Sequence, residues 1–518
     1  MLFNSYQFII FFFPVVLIGF LYIAHYSHHL AAVWLAIASL CFYASWHYQD
    51  LYLLLLSIVG NYTAGYWLAR LDPSGRKVLL WVSVSTNLII LAYFKYSNFL
   101  VDNWNQTFGQ NYTFAKVALP LGISFFTFTQ IAFLVDTYRG KVKEFNPVHY
   151  LLFVTYLPHL IAGPILHHQE MTAQFESHRM YRWKTRNVVT GLLMFTIGLI
   201  KKVILADGVV GYVIPIFDAA KQGIDLTWAD AWLGALAYTV QLYFDFSGYS
   251  DMAIGISLLL GVSLPINFNS PYKSVNITEF WRRWHITLSN FLRDYLYISL
   301  GGNRHGQLRR YANLIITMLL GGLWHGAGWT FIIWGGLHGV YLVINHAWQW
   351  GRKQLGQDLK QSTWWGRFLG TAITFIVVTV AWVLFRAENL DSAKTMLLAM
   401  FSLPNFNDIF TFKVTESPAI ASIWVSVLLV IVWLCPNSQY LIKNFKNMID
   451  SVQILETLPH KIDRVNPQTR DWIESLPSWL RNYQTWHFFI AGMTLPLILL
   501  LVAISESQLI KEFIYFNF

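Results

Sequence analysis

The sequence predicts an all-α polytopic membrane protein, with about 11 transmembrane helices plus re-entrant and interfacial helices. Two observations carry this. Only 12% of the 518 residues are charged, whereas 55% are hydrophobic and 17% aromatic; a soluble chain has about 25% charged residues. Apolar runs long enough to cross a bilayer recur along the chain, and mean hydropathy is +0.44. Lipid offers the backbone no hydrogen bonds, so each run must satisfy its own, which a helix does.

The first run, 8–23, has no basic segment before it and no small-residue cleavage site, so it reads as a retained span. Runs 30–45, 51–69, 78–94 and 117–135 follow as further spans. Run 189–206 contains Lys201 and Lys202 near its end, where their stems could snorkel to the interface. Run 232–262 is long and contains Ser247–Gly248, so a broken helix is expected there. Runs 329–348, 368–385, 419–434 and 486–504 complete the set. The short or interrupted runs 150–166, 313–324 and 393–401 read as re-entrant or buried in protein.

Loop charge gives an orientation. Segments 70–77, 270–311 and 349–367 are net positive, and 218–231 is net negative. Positive loops stay cytoplasmic, which places both termini outside. The overall charge of +9 is therefore explained by loops between spans rather than by nucleic acid. The chain reads as one membrane-embedded domain, 1–518. Within it lie a catalytic core at 267–339, a polar cytoplasmic insert at 436–485 and an extracytoplasmic tail at 505–518. Cys41 and Cys435 suggest neither a disulfide framework nor a metal site.

Stretch 267–339 holds two histidines that hydropathy does not explain. Asn276 and Glu279 have capping-box spacing. Trp281, Trp284, His285, Leu288, Leu292 and Tyr295 then recur at helical spacing, predicting one amphipathic helix that stops at Gly301–Gly302. Its charge keeps it at an interface or inside protein. His325 lies between Trp324 and Gly326, with Gly321, Gly322 and Gly328 nearby. Those glycines would let a ligand approach closely, and Trp324 and Trp329 would wall the slot. A buried imidazole favours its neutral form, which accepts a proton. His325 is thus a candidate general base. His285 could orient it, or hydrogen-bond the oxygen that becomes charged; on spacing alone, a histidine bonded to a backbone carbonyl is the simpler reading.

Intramembrane charge is costly. Asp245 and Asp251 read either as groups bonding one another across a kink or as a polar cavity wall. His338 either lines the same cavity or is a packed polar residue. No metal ligand set is expected, because the remaining histidines, including His28–His29 and His167–His168, lack metal spacing. No nucleophile elbow, H-E-x-x-H or P-loop lysine motif is present.

FWRRWHITLSNFLRDYLYISLGGNR followed by LLGGLWHGAGWTFIIWGGLHG resembles the membrane-bound O-acyltransferase (MBOAT) family. The similarity is to its alginate O-acetylation branch, whose relatives acylate envelope polysaccharides, peptidoglycan and teichoic acids. FKYSNF at 94–99, LPLGISFFTF at 119–128, PHLIAGPI at 158–165, ALAYTVQLYFDFSGYSDMAIG at 235–255 and WVLFRAEN at 382–389 fit that branch. The resemblance implies a helical fold around a central tunnel in a bacterial inner membrane. Acyl-CoA, here acetyl-CoA, would be the donor substrate, with no permanently bound cofactor. The acceptor would be an envelope polysaccharide, reached through a periplasmic SGNH-hydrolase-like partner. His325 matches the family's invariant histidine and His285 its second site residue. Arg282, Arg283 and Lys273 would be contacts for CoA phosphates, although positive-inside anchoring explains the arginines equally well.

The chain ends KEFIYFNF. Phe513, Tyr515, Phe516 and Phe518 form an interfacial aromatic anchor on composition. The F-x-Y-x-x-F ending also resembles that of small partner proteins in teichoic-acid D-alanylation and alginate acetylation, where the tyrosine is thought to take the acyl group. A phenol, with a pKa of about 10, leaves nearly as well as a thiol. A competing class is a transporter of a polysaccharide or lipid-linked precursor, which broken helices would also suit; no inverted repeat is visible.

Overall fold

The computed structural model describes residues 1–113, 115–161, 163–358, 363–404, 409–445, 447, 466 and 483–507. Most of the 436–485 insert, and Tyr515 with the rest of 508–518, lie outside the described residues. The described chain is helical, with no strand. Helices α1 (Phe13–Tyr26), α2 (His28–Ala44), α3 (Asp50–Leu68) and α4 (Pro73–Phe108) run up and down at the start. Asp72 accepts from the Ser74 and Gly75 amides and caps α4, with Pro73 opening the helix. The α3–α4 turn carries Arg70 and Arg76, and this side of the fold is termed the basic end below. Arg76 Nη2 ties it to the Tyr138 carbonyl (2.8 Å), where α5 (Ile123–Tyr138) finishes.

Next come α6 (Pro147–Thr155) and α7 (His168–Phe175), joined by a buried segment. At nine and eight residues, neither can cross a bilayer, in keeping with the re-entrant expectation for 150–166. Helices α8 (Thr185–Ile200), α9 (Val210–Lys221) and α10 (Trp228–Leu259) form the centre. Contrary to expectation, α10 is continuous through Ser247 and Gly248. Gly248 makes no kink: a Cβ there would sit 2.7 Å from the Gly198 carbonyl. Gly191 and Gly255 form a second such contact. Two glycine pairs let α8 and α10 touch backbone to backbone, as small residues do in membrane proteins.

The charges beside this seam were also misread from the sequence. Lys201 and Lys202 do not snorkel, and Asp245 and Asp251 pair with these lysines instead of bonding each other. Lys201 Nζ lies 2.6 Å from Asp251, and Lys202 Nζ lies 2.7 Å from Asp207 and 2.8 Å from Asp245. Ser438 Oγ also donates to Asp251 (2.6 Å). These are ties between neighbouring elements, because a buried charge persists when it is paired and hydrogen-bonded.

Beyond α10 come α11 (Ile277–Arg283), α12 (Ile286–Phe291), α13 (Gly306–His325), α14 (Trp329–Gln354), α15 (Trp364–Arg386), α16 (Leu390–Phe401), α17 (Pro418–Leu434), α18 (Ser438–Phe445) and α19 (Tyr483–Ser507). Helices α13 and α14 form an antiparallel hairpin. Gly322 and Gly335 let the backbones meet, and Arg310 and His346 join its open end at 3.0 Å. The hairpin therefore returns to the side it left. Five described helices are long and apolar enough to cross a membrane, or six counting α17 with α18. The expected total of about 11 is larger, partly because α2 and α5 have only 17 and 16 residues.

Candidate active site

His325 ends α13 and is 4% exposed. Aromatic rings fix its imidazole: Trp324 at 4.9 Å, Trp334 at 5.2 Å and perpendicular, and Phe385 at 5.2 Å. His325 borders a cavity of about 310 Å³. The cavity is also lined by Trp46 and Asp50, at the start of α3, and by 119–125 leading into α5. It therefore lies at the end of α3 opposite Arg70, away from the basic end.

The walls differ from expectation. Trp324 lines the cavity. Trp329 does not: it is 50% exposed, and its Nε1 donates to Asn103 on α4 (2.7 Å). Its place beside His325 is taken by Trp334 and Phe385. Two of the glycines, Gly322 and Gly326, serve close packing. A Cβ on Gly322 would meet the Phe331 carbonyl at 2.2 Å, and one on Gly326 the Phe331 ring at 2.2 Å.

Sequence reasoning missed Lys95. It is 7% exposed, and its ammonium donates to Ser124 Oγ (3.2 Å), the Trp324 carbonyl and the His325 carbonyl (3.3 Å). Tyr96 Oη donates to the Leu323 carbonyl (2.8 Å). Together they cap the C-terminus of α13, where free carbonyls and the helix dipole favour a cation. Lys95 also lines the cavity. The available signal was a lysine directly after apolar run 78–94.

His285 is fully buried but does not continue a helix. The chain breaks between α11 and α12, and His285 sits in the break with φ +42°. A left-handed backbone costs a non-glycine residue about 1–2 kcal/mol, and such strain collects at functional sites. Asn276 Oδ1 does accept from Glu279 N (2.9 Å), as the capping motif requires. The Glu279 carboxylate, however, accepts from Val275 N (3.0 Å) instead of the cap residue's own amide.

Asn267 holds the break in place, and it too was missed. Its Oδ1 faces His285 Nδ1 (3.1 Å) and accepts from Thr287 N (3.3 Å) and Thr287 Oγ1 (3.0 Å). An oxygen already accepting from two donors requires Nδ1 of His285 to carry the hydrogen. The neutral ring then keeps its lone pair on Nε2. His285 thus offers a proton acceptor, and donating to an oxyanion would require it to be protonated first. Trp324 lies between the two imidazoles, 6.5 Å from His285, and His285, Lys95 and His338 are all within electrostatic reach of His325.

His338 is packed rather than cavity-lining. Its ring lies 4.9 Å from Trp334 and 5.2 Å from Trp281. Neither of its nitrogens has a hydrogen-bond partner among the described residues, nor do Nε1 of Trp281 and Trp334. Lys273 lies elsewhere: its Nζ donates to the Cys435 carbonyl (2.8 Å), beside an apolar groove shared with Arg367. Arg283 pairs with Glu279 at 2.6 Å, and Arg282 is exposed.

The membrane-bound O-acyltransferase family model matches residues 40–380, a span that includes both histidines. The chain belongs to this family. It is 43% identical to the peptidoglycan O-acetyltransferase of Helicobacter pylori, covering 78% of this chain and 80% of that one. It is 45% identical to the probable alginate O-acetylase AlgI of Azotobacter vinelandii, covering 83% of each chain. The teichoic acid D-alanyltransferase of Bacillus subtilis is 30% identical over 52% of this chain. The chain is a membrane O-acyltransferase, which decides against the transporter class.

Proposed function

We propose that this O-acyltransferase moves an acetyl group from cytoplasmic acetyl-CoA across the inner membrane, for O-acetylation of an envelope polysaccharide. The observation that supports this reading is the place of His325, between a cavity and a packed column of aromatic side chains. On one side is the cavity opening away from the basic end. On the other, Trp334, His338 and Trp281 continue along the α13–α14 hairpin toward Arg310 and Arg352. The basic end is cytoplasmic by the positive-inside rule. The partnerless N–H groups of Trp281 and Trp334 suit the amide carbonyls of a pantetheine arm, since buried donors need acceptors.

His325 takes the proton of the acceptor hydroxyl as its oxygen attacks the thioester carbonyl. The tetrahedral oxyanion then collapses, the C–S bond breaks, and the CoA sulfur leaves with the proton held by His325. His285 is the second proton acceptor. The first acceptor is Tyr515 of the chain's own tail, entering from outside. A phenyl ester keeps most of the thioester's transfer potential, so the acetyl group can pass on to a periplasmic SGNH-hydrolase-like partner and from there to the polysaccharide.

The test is transfer from radiolabelled acetyl-CoA by purified protein in proteoliposomes. His325→Gln should lower turnover by about 10²–10⁴, the usual contribution of a positioned base, while the melting midpoint stays near wild type. Activity within threefold of wild type in a folded His325→Gln protein would remove His325 from the chemistry.

A further inference from the structure

A second group of chemically capable side chains sits at the basic end, away from His325. The loop entering α6 supplies Glu144, the first turn of α6 supplies His149, and the end of α7 supplies Glu176. One potential ligand atom from each lies within 4.8 Å of the others. Two ionised carboxylates this close repel one another, yet no lysine or arginine among the described residues pairs with either. His149 adds an independent observation. It is 9% exposed, its Nδ1 is buried without a hydrogen-bond partner, and its ring packs against Phe175 at 6.1 Å. A buried ring nitrogen without a partner is an uncommon expense.

Neighbouring histidines divide into two sets. His28 and His178 bond each other, Nδ1 to Nδ1 at 3.0 Å, and His28 stacks on Tyr181 at 4.4 Å. His29, the first-turn neighbour on α2, lies within electrostatic reach of His149. Its ring nitrogens are not among the three converging ligand atoms.

We propose that Glu144, His149 and Glu176 bind a divalent transition-metal ion of the zinc class. Mixed imidazole and carboxylate donors select Zn²⁺ over the oxygen-seeking Ca²⁺ and Mg²⁺. Tetrahedral bonds of about 2.0–2.1 Å put donors roughly 3.4 Å apart, a closure that the two exposed glutamate side chains can make by changing rotamer. The ion neutralises the paired carboxylates. It also joins α6 and α7 on either side of the buried segment after α6, whose Ile161 lines the His325 cavity. The site is separate from the acyl-transfer chemistry.

Untagged full-length protein in detergent, stripped with chelator, should bind one Zn²⁺ per chain in a calorimetric titration with zinc sulfate. Co²⁺ should give the visible ligand-field absorption of a low-coordinate site. Glu144→Gln/Glu176→Gln, both at exposed positions, should weaken binding at least tenfold and abolish the Co²⁺ band. His28→Ala/His178→Ala should leave both unchanged. The proposal is overturned by absence of stoichiometric binding, by binding that survives the glutamate variant, or by binding lost with His28 and His178 instead.

Discussion

Replacing Asn267 with leucine isolates what holds His285 in place. Asn267 Oδ1 serves three donors: His285 Nδ1, Thr287 N and Thr287 Oγ1. Asn267 is fully buried, and His285 and Thr287 are also buried, so water cannot replace the lost acceptor. The Thr287 hydroxyl can rotate to another acceptor, but the ring N–H and the amide N–H cannot. Each such orphan costs about 1–3 kcal/mol, so Asn267→Leu should lose about 2–6 kcal/mol of stability. The chemistry should suffer separately, because His285 would no longer be held with its lone pair on Nε2. Asn267→Asp keeps an acceptor in the same place and should retain the tautomer and most of the activity. Thermal unfolding in detergent and acetyl transfer in proteoliposomes measure the two effects. Asn267→Leu matching wild type in both assays would refute the assignment of Asn267 as the residue that fixes His285. Equal loss of activity in Asn267→Leu and Asn267→Asp would refute the tautomer argument alone.

Lys95→Met should remove the cation from the end of α13, lowering turnover with a smaller effect on KM, and Lys95→Arg should restore part of it; unchanged turnover in Lys95→Met would sink the capping role. Lys202→Met leaves Asp207 and Asp245 buried without their cation, and it should cost about 3–5 kcal/mol. Lys202→Met/Asp245→Asn should recover part of that in the same melting assay, and strict additivity would argue against the pair. Tyr515→Phe should keep the protein folded and binding acetyl-CoA but abolish transfer to the polysaccharide; normal transfer would leave the tail as an anchor only.

How much of the site was legible in the sequence depends on how local each signal is. His325 was legible because a lone histidine in an apolar, glycine-rich run needs a reason, and that reason is confined to neighbouring residues. His285 was legible as a residue but not as a conformation. The 3.6-residue pattern runs from Trp281 to Tyr295 across the break, so periodicity alone reports one helix where there are two. What breaks it is Asn267, which lies 18 residues upstream. Trp329 and Trp334 belong to the same apolar run, and only the α13–α14 packing decides which of them faces His325.

By itself, the sequence determined the membrane class, the family resemblance, the apolar runs that become helices and the basic loops. These follow from hydropathy, spacing and motifs, which are read residue by residue along the chain. Only the tertiary structure decided that Lys201 meets Asp251, that Lys202 meets Asp245, that Lys95 caps α13, and that Glu144, His149 and Glu176 converge. A charge carries the same hydropathy whether or not it will find a partner. Which partner it finds depends on helix contacts, such as the glycine seam between α8 and α10, that bring distant stretches of the chain within bonding distance.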